Sequence, residues 1–388
     1  MTPIFANRVL LPPGRKAADA VSEAISKSIN EKCVSALIPS TKGESLSNKY
    51  ESAIDVSIPC KIESGLIICT SGSTGNPKAV EISSNSLEAA TKLVNSKFTE
   101  PASWLLAINP AFIGGTMVIA RALMQNQKWE YGLTDDGKFS PEIFAGIAQT
   151  FIAKNGRVRT SLVAAQLASL IAQEQIELLK KFDAILVGGG QISPDIYNNL
   201  KDQGVNLIRT YGMTETCGGI VWDGKALDGV NIRIENPSNS GAGRISINSP
   251  SNATCYHGNT EGISKLNEAT FNNNWVMTQD IGTYENALLK IIGRSDDIVI
   301  SGGINISVHA VENVLRDQIG VEDAVVFALP DKTWGTVIAA VIVGNADQMQ
   351  LQDAVEKELG SAAKPRIIKF AHELPLLPNG KIDVDSLK

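Results

Sequence analysis

The stretch that decides the fold is LIICTSGSTGNPKAVEIS, residues 66–83. It begins as a short apolar run, which is typical of a buried strand, and continues as a segment rich in serine, threonine and glycine. Small hydroxyl residues and glycines let N–H and O–H groups converge on phosphate oxygens, and a lysine adds a positive charge. The segment therefore predicts a phosphate-binding loop, although an ordinary tight turn is the alternative. The residues expected to line it are Thr70, Ser71, Gly72, Ser73, Thr74, Gly75 and Lys78. Their spacing does not match the Walker pattern, which excludes a P-loop NTPase.

The same sequence of apolar strand and glycine-rich end recurs farther along the chain. FDAILVGGG (182–190) and VNLIRTYG (205–212) both end in this way. Residues 16–30 and 83–98 have the apolar spacing of amphipathic helices. Alternating buried strands and helices predict an α/β fold with at least partly parallel sheets. In such sheets ligands bind beyond the carboxyl ends of the strands, where these polar loops fall.

Length, charge and cysteine usage narrow the classes of protein that remain. A chain of 388 residues predicts two or three domains. The net charge of -6 argues against nucleic-acid binding and against binding to an anionic membrane. Five unpatterned cysteines indicate reduced thiols and a cytoplasmic protein, and the three histidines are not spaced as zinc ligands. The apolar stretch 104–124 is interrupted by polar residues, proline and glycine, so it predicts a strand, a turn and a helix rather than a membrane span.

The pattern changes near residue 294. The segment GRSDD (293–297) separates strand-like runs, and a small α+β unit follows it. We therefore predict an N-terminal domain over 1–293, a hinge over 294–297 with Asp296 at its centre, and a mobile C-terminal domain over 298–388. An ordinary hairpin turn is the alternative for GRSDD.

Three further segments carry groups that suit a nucleotide. In YGMTET (211–216), Tyr211 can stack on a purine, Thr214 can contact phosphate, and Glu215 offers the oxygen ligands that Mg²⁺ prefers. A strand-to-helix turn with a threonine cap is the alternative. Asp280, expected just after a strand, can accept hydrogen bonds from ribose, and Arg294 can contact ribose or phosphate; a solvated surface pair is the alternative. Lys381, after a Pro-Asn-Gly turn, would by itself be an ordinary solvent-facing lysine.

Together these segments resemble the adenylate-forming superfamily of acyl-CoA synthetases, adenylation domains and luciferases. TSGSTGNPKAV, YGMTET, the TQD aspartate, GRSDD and PNGKID occur here in the family's order, and the resemblance runs from about residue 60 to the end of the chain. It implies a large α/β domain with mixed sheets, a small mobile C-terminal domain, and a ligase that uses ATP, Mg²⁺ and coenzyme A. Such enzymes join a carboxylate to AMP, release pyrophosphate, and transfer the acyl group to a thiol.

The resemblance also implies roles for residues of this chain. Catalysis would fall to Lys381, Glu215, Thr214 and Lys78, with Glu215 as the metal ligand. Adenine would be held by Tyr211 with Gly188, Gly189 and Gly190. Ribose would contact Asp280 and Arg294, and SGGINIS (301–307) with Gly302 and Gly303 would lie near the pantetheine arm of coenzyme A.

Within the superfamily, the short N-terminus, RTSLVAAQL (159–167), GGGQIS (188–193) and residues 211–230 resemble 2-succinylbenzoate–CoA ligases of menaquinone biosynthesis. That substrate is an aromatic dicarboxylate. The resemblance implies a pocket with small residues, apolar walls and polar contacts. Its expected members are Gly115, Gly212, Met213, Gly218, Gly219, Phe112, Leu162, Ser161, Thr160 and Gln191. The alternative for 160–167 is a strand running into a helix without ligand contact.

Three departures from the family pattern stand out. The signature loop falls early, so we expect a large part of the usual N-terminal subdomain to be absent. Phe112 stands where many relatives have a histidine, and Gln279 stands where glycine is frequent.

Other functions remain open at this point. Within the superfamily, the chain could be another aryl- or fatty-acyl-CoA ligase or a stand-alone adenylation enzyme. Outside enzymes, it could be a decayed relative that only binds nucleotide, although the presence of Glu215, Asp280, Arg294 and Lys381 argues against this. The chain lacks the Walker spacing and the kinase catalytic-loop motif that an ATP-using enzyme of another class would need. The expected partners are small molecules, and a homodimer is one option for the assembly.

Overall fold

Contacts within the chain divide the computed structural model into two units. Residues up to 232 together with 247–277 form the first, and residues 233–246 with most of the chain beyond 278 form the second. The structure describes residues 2–40, 44–70, 77–190, 192–301, 304–331, 335–375 and 382–388. Nine predicted site residues lie outside these ranges: Ser71, Gly72, Ser73, Thr74, Gly75, Gln191, Gly302, Gly303 and Lys381. The boundary predicted at residue 293 and the hinge at 294–297 remain predictions.

The helices are numbered in chain order. They are α1 Arg15–Asn30, α2 Glu44–Ala53, α3 Ser84–Asn95, α4 Ile113–Leu123, α5 Pro141–Asn155, α6 Ala164–Ala172, α7 Ile176–Leu179, α8 Pro194–Asp202, α9 Glu261–Thr270, α10 Val308–Arg316 and α11 Gln348–Leu359. Several begin at the caps that their sequences offer. In α3, the side chain of Ser83 accepts a hydrogen bond from the backbone N–H of Ser86.

The strands are numbered in the same way. They are β1 Asn7–Leu11, β2 Val34–Pro39, β3 Gly65–Cys69, β4 Ala79–Ser83, β5 Ser103–Leu106, β6 Trp129–Tyr131, β7 Val158–Val163, β8 Ala184–Gly188, β9 Leu207–Met213, β10 Gly218–Trp222, β11 Lys225–Ala226, β12 Asn231–Glu235, β13 Gly243–Asn248, β14 Cys255–Tyr256, β15 Phe271–Asn272, β16 Trp275–Glu285, β17 Leu288–Arg294, β18 Ile298–Ser301, β19 Ile304–Ser307, β20 Val321–Asp331, β21 Gly335–Gly344 and β22 Ile367–Ala371.

Two sheets build the first unit. One has the order β1-β2-β3-β4-β14, in which β1, β2 and β3 are parallel and β4 runs antiparallel to β3. The other has the order β11-β10-β9-β8-β7-β5-β6, and its strands from β9 to β6 are parallel. The central strand β3 is apolar, as expected where both faces of a sheet are covered, and its Leu66, Ile67 and Ile68 are fully buried. The predicted α/β fold with mixed sheets is confirmed.

The second unit holds the α+β part of the chain. β20 pairs antiparallel with β21, and β21 pairs parallel with β22. An apolar core lies where α10 and α11 meet these strands, and it includes Val311, Leu315, Ile342 and Leu351. The hairpin β18–β19 and the long antiparallel pair β16–β17 also belong largely to this unit.

Two expectations on local structure can now be compared with the fold. The apolar stretch 104–124 forms β5, a turn and α4, as predicted, and no helix among the described residues is both long and apolar enough to span a membrane. Asp280 lies inside β16, so its expected position after a strand is wrong. The strand continues because β17 pairs with it as far as Glu285, with an irregularity between Ile281 and Gly282.

Candidate active site

The strands β3 and β4 hold the base of the predicted phosphate loop. The backbone N–H of Thr70 donates to the carbonyl of Lys78 at 2.7 Å, and the N–H of Lys78 donates to Thr70 Oγ1 at 3.2 Å. Cys69 and Ala79 are opposite each other in the antiparallel pair just behind this point. The two ends of the loop are thus fixed to each other, and the segment between them starts and finishes at one place on the sheet.

The turn between β9 and β10 presents Thr214 and Glu215. It is a single 3₁₀ turn, Thr214–Thr216, that ends at Cys217 in the left-handed region with φ 58°. The hydroxyl of Thr216 closes the turn, because it accepts from the N–H of Met213 at 2.9 Å and donates to the carbonyl of Gly218 at 3.0 Å. This rigid turn fixes the direction of the Glu215 side chain.

Tyr256 joins two of the predicted catalytic residues. Its hydroxyl donates to Glu215 Oε1 at 2.6 Å, and the Nζ of Lys78 lies 5.4 Å from the centroid of its ring. The first contact is a short, charge-assisted hydrogen bond, and the second is a cation–π contact. The structure therefore brings Glu215 to the hydroxyl of Tyr256 and Lys78 to its ring.

The surroundings of Tyr256 hold it in place. It belongs to β14, which pairs antiparallel with β4 and sets Tyr256 opposite Val80. The side chain of Asn267 bonds both the N–H and the carbonyl of Tyr256, at 2.6 Å and 2.9 Å, and the ring of Phe271 packs edge-on against it. Tyr256 was not among the residues predicted from the sequence. A two-residue strand has no periodicity, so the sequence offers no local signal for it.

The two carboxylate oxygens of Glu215, the predicted metal ligand, have different surroundings. Oε1 accepts the Tyr256 hydroxyl, whereas Oε2 accepts no hydrogen bond from any residue in the described part of the chain. A hard oxygen atom is the ligand type that Mg²⁺ selects, and it is usually shared with substrate phosphates. Glu215 therefore fits the predicted role of metal ligand.

A buried ion pair supports β4 and β14 from behind. His257 Nδ1 and Glu81 Oε1 are 2.8 Å apart, both side chains are almost fully buried, and the other ring nitrogen lies 2.8 Å from the carbonyl of Asp55. Burial opposes protonation of His257, but these hydrogen bonds raise the pKa of the imidazole above its ordinary value. Cys60 lies within 4.8 Å of the same groups. Because both ring nitrogens already have protein partners, the cluster is a structural support.

The residues predicted to hold adenine lie on neighbouring strands. Gly188 ends β8, Gly189 has φ +77° and is exposed with Gly190, and half-buried Tyr211 lies in β9. A Cβ atom added at Gly188 would lie 2.6 Å from the hydroxyl of Thr210, so packing alone explains why this position is a glycine. The adenine contacts remain a prediction.

Several of the predicted pocket residues are packed inside the first unit. Phe112 precedes α4 and packs edge-on against Tyr50, with ring centroids 5.9 Å apart. Ser161 of β7 is nearly buried. Its neighbours Thr160 and Leu162 point to the opposite face, where the Thr160 hydroxyl bonds the carbonyl of Leu105 and Leu162 joins an apolar core.

The glycines of the predicted pocket have packing reasons of their own. A side chain at Gly115 would collide with the backbone of Asn109, and one at Gly212 would collide with the carbonyl of Gly218. At Gly219 it would meet Thr210 at 2.7 Å. Gly218 differs, because a Cβ atom added there would make only ordinary van der Waals contacts; its φ of +98° is what favours glycine. That these residues line a substrate pocket remains a prediction.

In the second unit, the structure brings together the predicted ribose-binding residues. Arg294 NH1 donates to Asp280 Oδ1 at 3.1 Å, and the two residues are opposite each other in the β16–β17 pair. Gln279, at the position where relatives often have glycine, accepts a hydrogen bond from Ser295 at 2.7 Å. Asp296 lies in the short 3₁₀ turn Ser295–Asp297 that follows.

Comparisons with known proteins find one enzyme family over both parts of the chain. Residues 11–257 match the family described as AMP-binding enzyme, and residues 310–381 match the AMP-binding enzyme C-terminal domain. A probable 2-succinylbenzoate–CoA ligase of Mycobacterium tuberculosis (strain CDC 1551 / Oshkosh) is 32% identical over 333 residues, covering 82% of each chain. The 2-succinylbenzoate–CoA ligase of Listeria monocytogenes serovar 1/2a is 30% identical over 340 residues, covering 83% of this chain and 69% of that protein.

Solved structures share the fold. The o-succinylbenzoate CoA synthetase (MenE) from Bacillus subtilis, in complex with the acyl-adenylate intermediate OSB-AMP, has a TM-score of 0.72 and 24% identity, and the match covers 100% of this chain and 89% of that chain. The same enzyme in complex with ATP and magnesium ion has a TM-score of 0.70 over 98% of this chain and 89% of that chain.

Proposed function

Because the chain belongs to the family of AMP-binding enzymes, we propose that it is an AMP-forming acid–thiol ligase that converts 2-succinylbenzoate to its coenzyme A thioester. The proposal rests on Tyr256, which binds Glu215 and packs against Lys78 at the base of a hydroxyl-rich loop. The substrate is inferred from the two ligases that share 30–32% of their residues with this chain over more than four-fifths of its length. In this proposal the reaction belongs to menaquinone biosynthesis and takes place in the cytoplasm.

The chemistry has two steps. A carboxylate oxygen of the acid attacks the α-phosphorus of ATP, the bond to the β-phosphate oxygen breaks, and pyrophosphate leaves with that electron pair. The thiol of coenzyme A then attacks the acyl carbon, AMP leaves, and the thiol proton passes to solvent. The first step brings two anions together, so positioning and positive charge supply most of the catalysis.

The residues of the first unit suit that first step. The loop whose base is closed by Thr70 and Lys78 would surround the β- and γ-phosphates with N–H and O–H donors. The Lys78 ammonium would contact phosphate oxygens while the Tyr256 ring keeps it in place. Glu215 would hold Mg²⁺ through Oε2, and the cation would neutralise charge on the phosphates. Thr214, at the start of the same turn, would contact the α-phosphate.

The remaining roles continue the sequence predictions. Asp280 would accept hydrogen bonds from the ribose hydroxyls, and Arg294 orients it through their 3.1 Å contact. Lys381 would bridge the acyl carboxylate and the ribose during adenylation, and the segment around Gly302 and Gly303 would lie near the thiol of coenzyme A. Residues 298–388 would move as a domain between the two steps, about a hinge at Asp296.

One coupled assay tests the proposal. Purified protein is supplied with Mg-ATP, coenzyme A and 2-succinylbenzoate, and the release of AMP and pyrophosphate is measured with the thioester. We expect all three products in equal amounts, with a higher kcat/KM for 2-succinylbenzoate than for benzoate or medium-chain fatty acids. A kinetic preference for a fatty acid would rule out 2-succinylbenzoate as the substrate and indicate a fatty-acyl-CoA ligase. Tight ATP binding without any product would favour a binding protein.

A further inference from the structure

The strand pair β4–β14 carries side chains that can bind a metal on the face away from the candidate active site. In this antiparallel pair Cys255 is directly opposite Glu81. His257 continues the pairing with a backbone hydrogen bond of 2.8 Å to β4. Side chains alternate along a strand and opposite residues share a face, so Cys255, Glu81 and His257 lie on one side of the sheet. Tyr256 lies on the other side, where it binds Glu215.

A fourth donor reaches the same place from the segment before β3. This segment is anchored over Glu81, because the backbone N–H groups of the two residues after Cys60 donate to Glu81 Oε2 at 2.7 Å and 3.2 Å. The Sγ of Cys60, a carboxylate oxygen of Glu81 and a ring nitrogen of His257 all lie within 4.8 Å of one another. The Cys255 thiol donates a hydrogen bond to the same carboxylate. We call these four side chains the back cluster: Cys60, Glu81, Cys255 and His257.

The spacing of these donors suits a tetrahedral metal ion. Zinc binds thiolate sulfur at about 2.3 Å and imidazole nitrogen or carboxylate oxygen at about 2.0–2.2 Å, so neighbouring donors around it are about 3.3–3.8 Å apart. The three donors that lie within 4.8 Å of one another need only small side-chain shifts to reach that spacing. Thiolate and imidazole donors also favour zinc over Mg²⁺ and Ca²⁺, which prefer oxygen ligands.

His257 already has the outer contact that orients a metal-binding histidine. Its Nε2 donates to the backbone carbonyl of Asp55 at 2.8 Å, which directs Nδ1 into the back cluster. Metal-binding histidines are usually oriented in this way by a bond from the other ring nitrogen. In the structure Nδ1 pairs with Glu81 at 2.8 Å and supports the two strands. A cation would take the place of the Nδ1 proton and keep the other contacts.

The two thiols of the back cluster are neutral at pH 7 but accessible to an ion. Burial, and to a smaller extent the charge of Glu81, raises the pKa of Cys60 to about 11 and that of Cys255 to about 12. A divalent cation reverses this effect, because a thiol that coordinates a metal loses its proton. Both cysteines are only half-buried, which gives an ion a path from solvent.

We propose that the back cluster is a structural zinc site. Zn²⁺ binds two thiolates, one carboxylate oxygen and Nδ1 of His257, and the two thiol protons and the Nδ1 proton pass to solvent. The protein then fills all four positions, which is typical of structural rather than catalytic zinc. The ion ties β14 to β4 and so holds Tyr256 from behind. The donors come from three separate segments, so no ligand spacing marks them in the sequence. This site depends neither on the substrate nor on the proposed reaction.

Cobalt(II) is the spectroscopic probe for this site. The intact chain is treated with a chelator and then titrated with Co²⁺ in the absence of ATP. We expect one bound Co²⁺ per chain, with the near-ultraviolet absorption of charge transfer from thiolate to cobalt. Zn²⁺ should displace the cobalt, because zinc binds such donors more tightly. Co²⁺ held by oxygen ligands alone, as at Glu215, lacks this absorption.

Cys60→Ser and Cys255→Ser each remove one sulfur donor, and Cys33→Ser is the matched control. Cys33 is another half-buried free cysteine of the first unit, and it lies outside the back cluster. Outer contacts of a metal site are worth about 10–100-fold in affinity, so loss of a direct donor should weaken Co²⁺ binding by about a hundredfold or more. Cys33→Ser should bind Co²⁺ as the unmodified protein does. Zn²⁺ should raise the unfolding temperature of both, because it binds only the folded site.

X-ray absorption at the zinc edge counts the sulfur neighbours of the ion without any substitution. Two sulfur atoms at about 2.3 Å among four neighbours would support the site. The proposal is overturned if the unmodified protein shows no thiolate absorption with Co²⁺, or if its bound zinc has fewer than two sulfur neighbours. It is also overturned if either Cys60→Ser or Cys255→Ser binds Co²⁺ as tightly as the unmodified protein. The back cluster would then be an ion-pair support and no more.

Discussion

Replacing Tyr256 with phenylalanine removes one atom from the candidate active site. The lost hydroxyl donates to Glu215 Oε1 at 2.6 Å, whereas the ring that packs on Phe271 and under Lys78 remains. A hydrogen bond to a charged group contributes about 1.5–3 kcal/mol. We assume that this hydrogen bond orients Glu215 towards the metal and that its loss raises the barrier to adenylation by about 2 kcal/mol. In that case kcat/KM for Mg-ATP in adenylation should fall roughly thirtyfold.

The assay separates the two steps of the reaction. Pyrophosphate release from Mg-ATP and 2-succinylbenzoate reports adenylation, and thioester formation from preformed acyl adenylate reports the second step. Tyr256→Phe should slow the first and leave the second within about twofold. It should also raise the Mg²⁺ concentration needed for half-maximal rate, which loss of packing alone would not do.

Tyr197 supplies the matched control. Its hydroxyl also donates to a carboxylate, Asp223 Oδ1 at 2.9 Å, and Asp223 has no predicted role in the reaction. Tyr197→Phe should leave both steps and the Mg²⁺ dependence unchanged. If both phenylalanine variants slow adenylation to the same extent, the Tyr256 hydroxyl has no specific role, because the effect would then be one of general stability.

Three further predictions concern stability and the second unit. The pKa of His257 is raised in the folded protein, so its stabilising contribution is complete below the unfolded pKa of about 6.5 and is lost as pH rises through the folded pKa. The difference in unfolding free energy between the unmodified protein and His257→Gln, measured in urea melts, should therefore shrink between pH 6 and pH 9. A difference that stays constant over this range would contradict the prediction. Gly212→Ala should lower the free energy of unfolding by about 3 kcal/mol, because its methyl group would collide with the Gly218 carbonyl. Gly146→Ala in α5, whose methyl group would meet nothing within 4 Å, should raise it by about 0.5–1 kcal/mol in the same melts. Equal effects would show that the close approach at Gly212 is relaxed in solution. Lys381→Ala should abolish pyrophosphate release and spare thioester formation from preformed acyl adenylate, and an equal loss of both steps would reject the predicted domain movement.

The sequence predicted the fold where the apolar pattern is local. β3 and β8 are short apolar runs that end in glycine or hydroxyl residues, and each forms a buried strand at its predicted place. β9 also forms where it was predicted, but most of it is only half-buried. The helices at 16–30 and from residue 84 follow their apolar spacing in the same way. Because these signals lie within a few neighbouring residues, one sequence was enough to read them.

The site was predictable only in part, since its groups come from distant segments. Glu215 and Lys78 were found through motifs, but Tyr256 connects them from a two-residue strand whose partner, β4, is about 175 residues earlier in the chain. Asp280 was expected beyond the end of a strand because no local signal showed that β17 would pair with β16 through it.

The close backbone packing at Gly115, Gly212 and Gly219 limits how the acyl selectivity of this enzyme can be redesigned. A common strategy for favouring smaller acids is to replace a pocket glycine with a larger residue. Here a larger residue at Gly212 or Gly219 would push apart the β9–β10 hairpin that carries the Glu215 turn, and one at Gly115 would collide with the backbone of Asn109, before either reduced the room for the acid. Libraries aimed at new acids should therefore vary Phe112 and Ser161 and leave these three glycines unchanged.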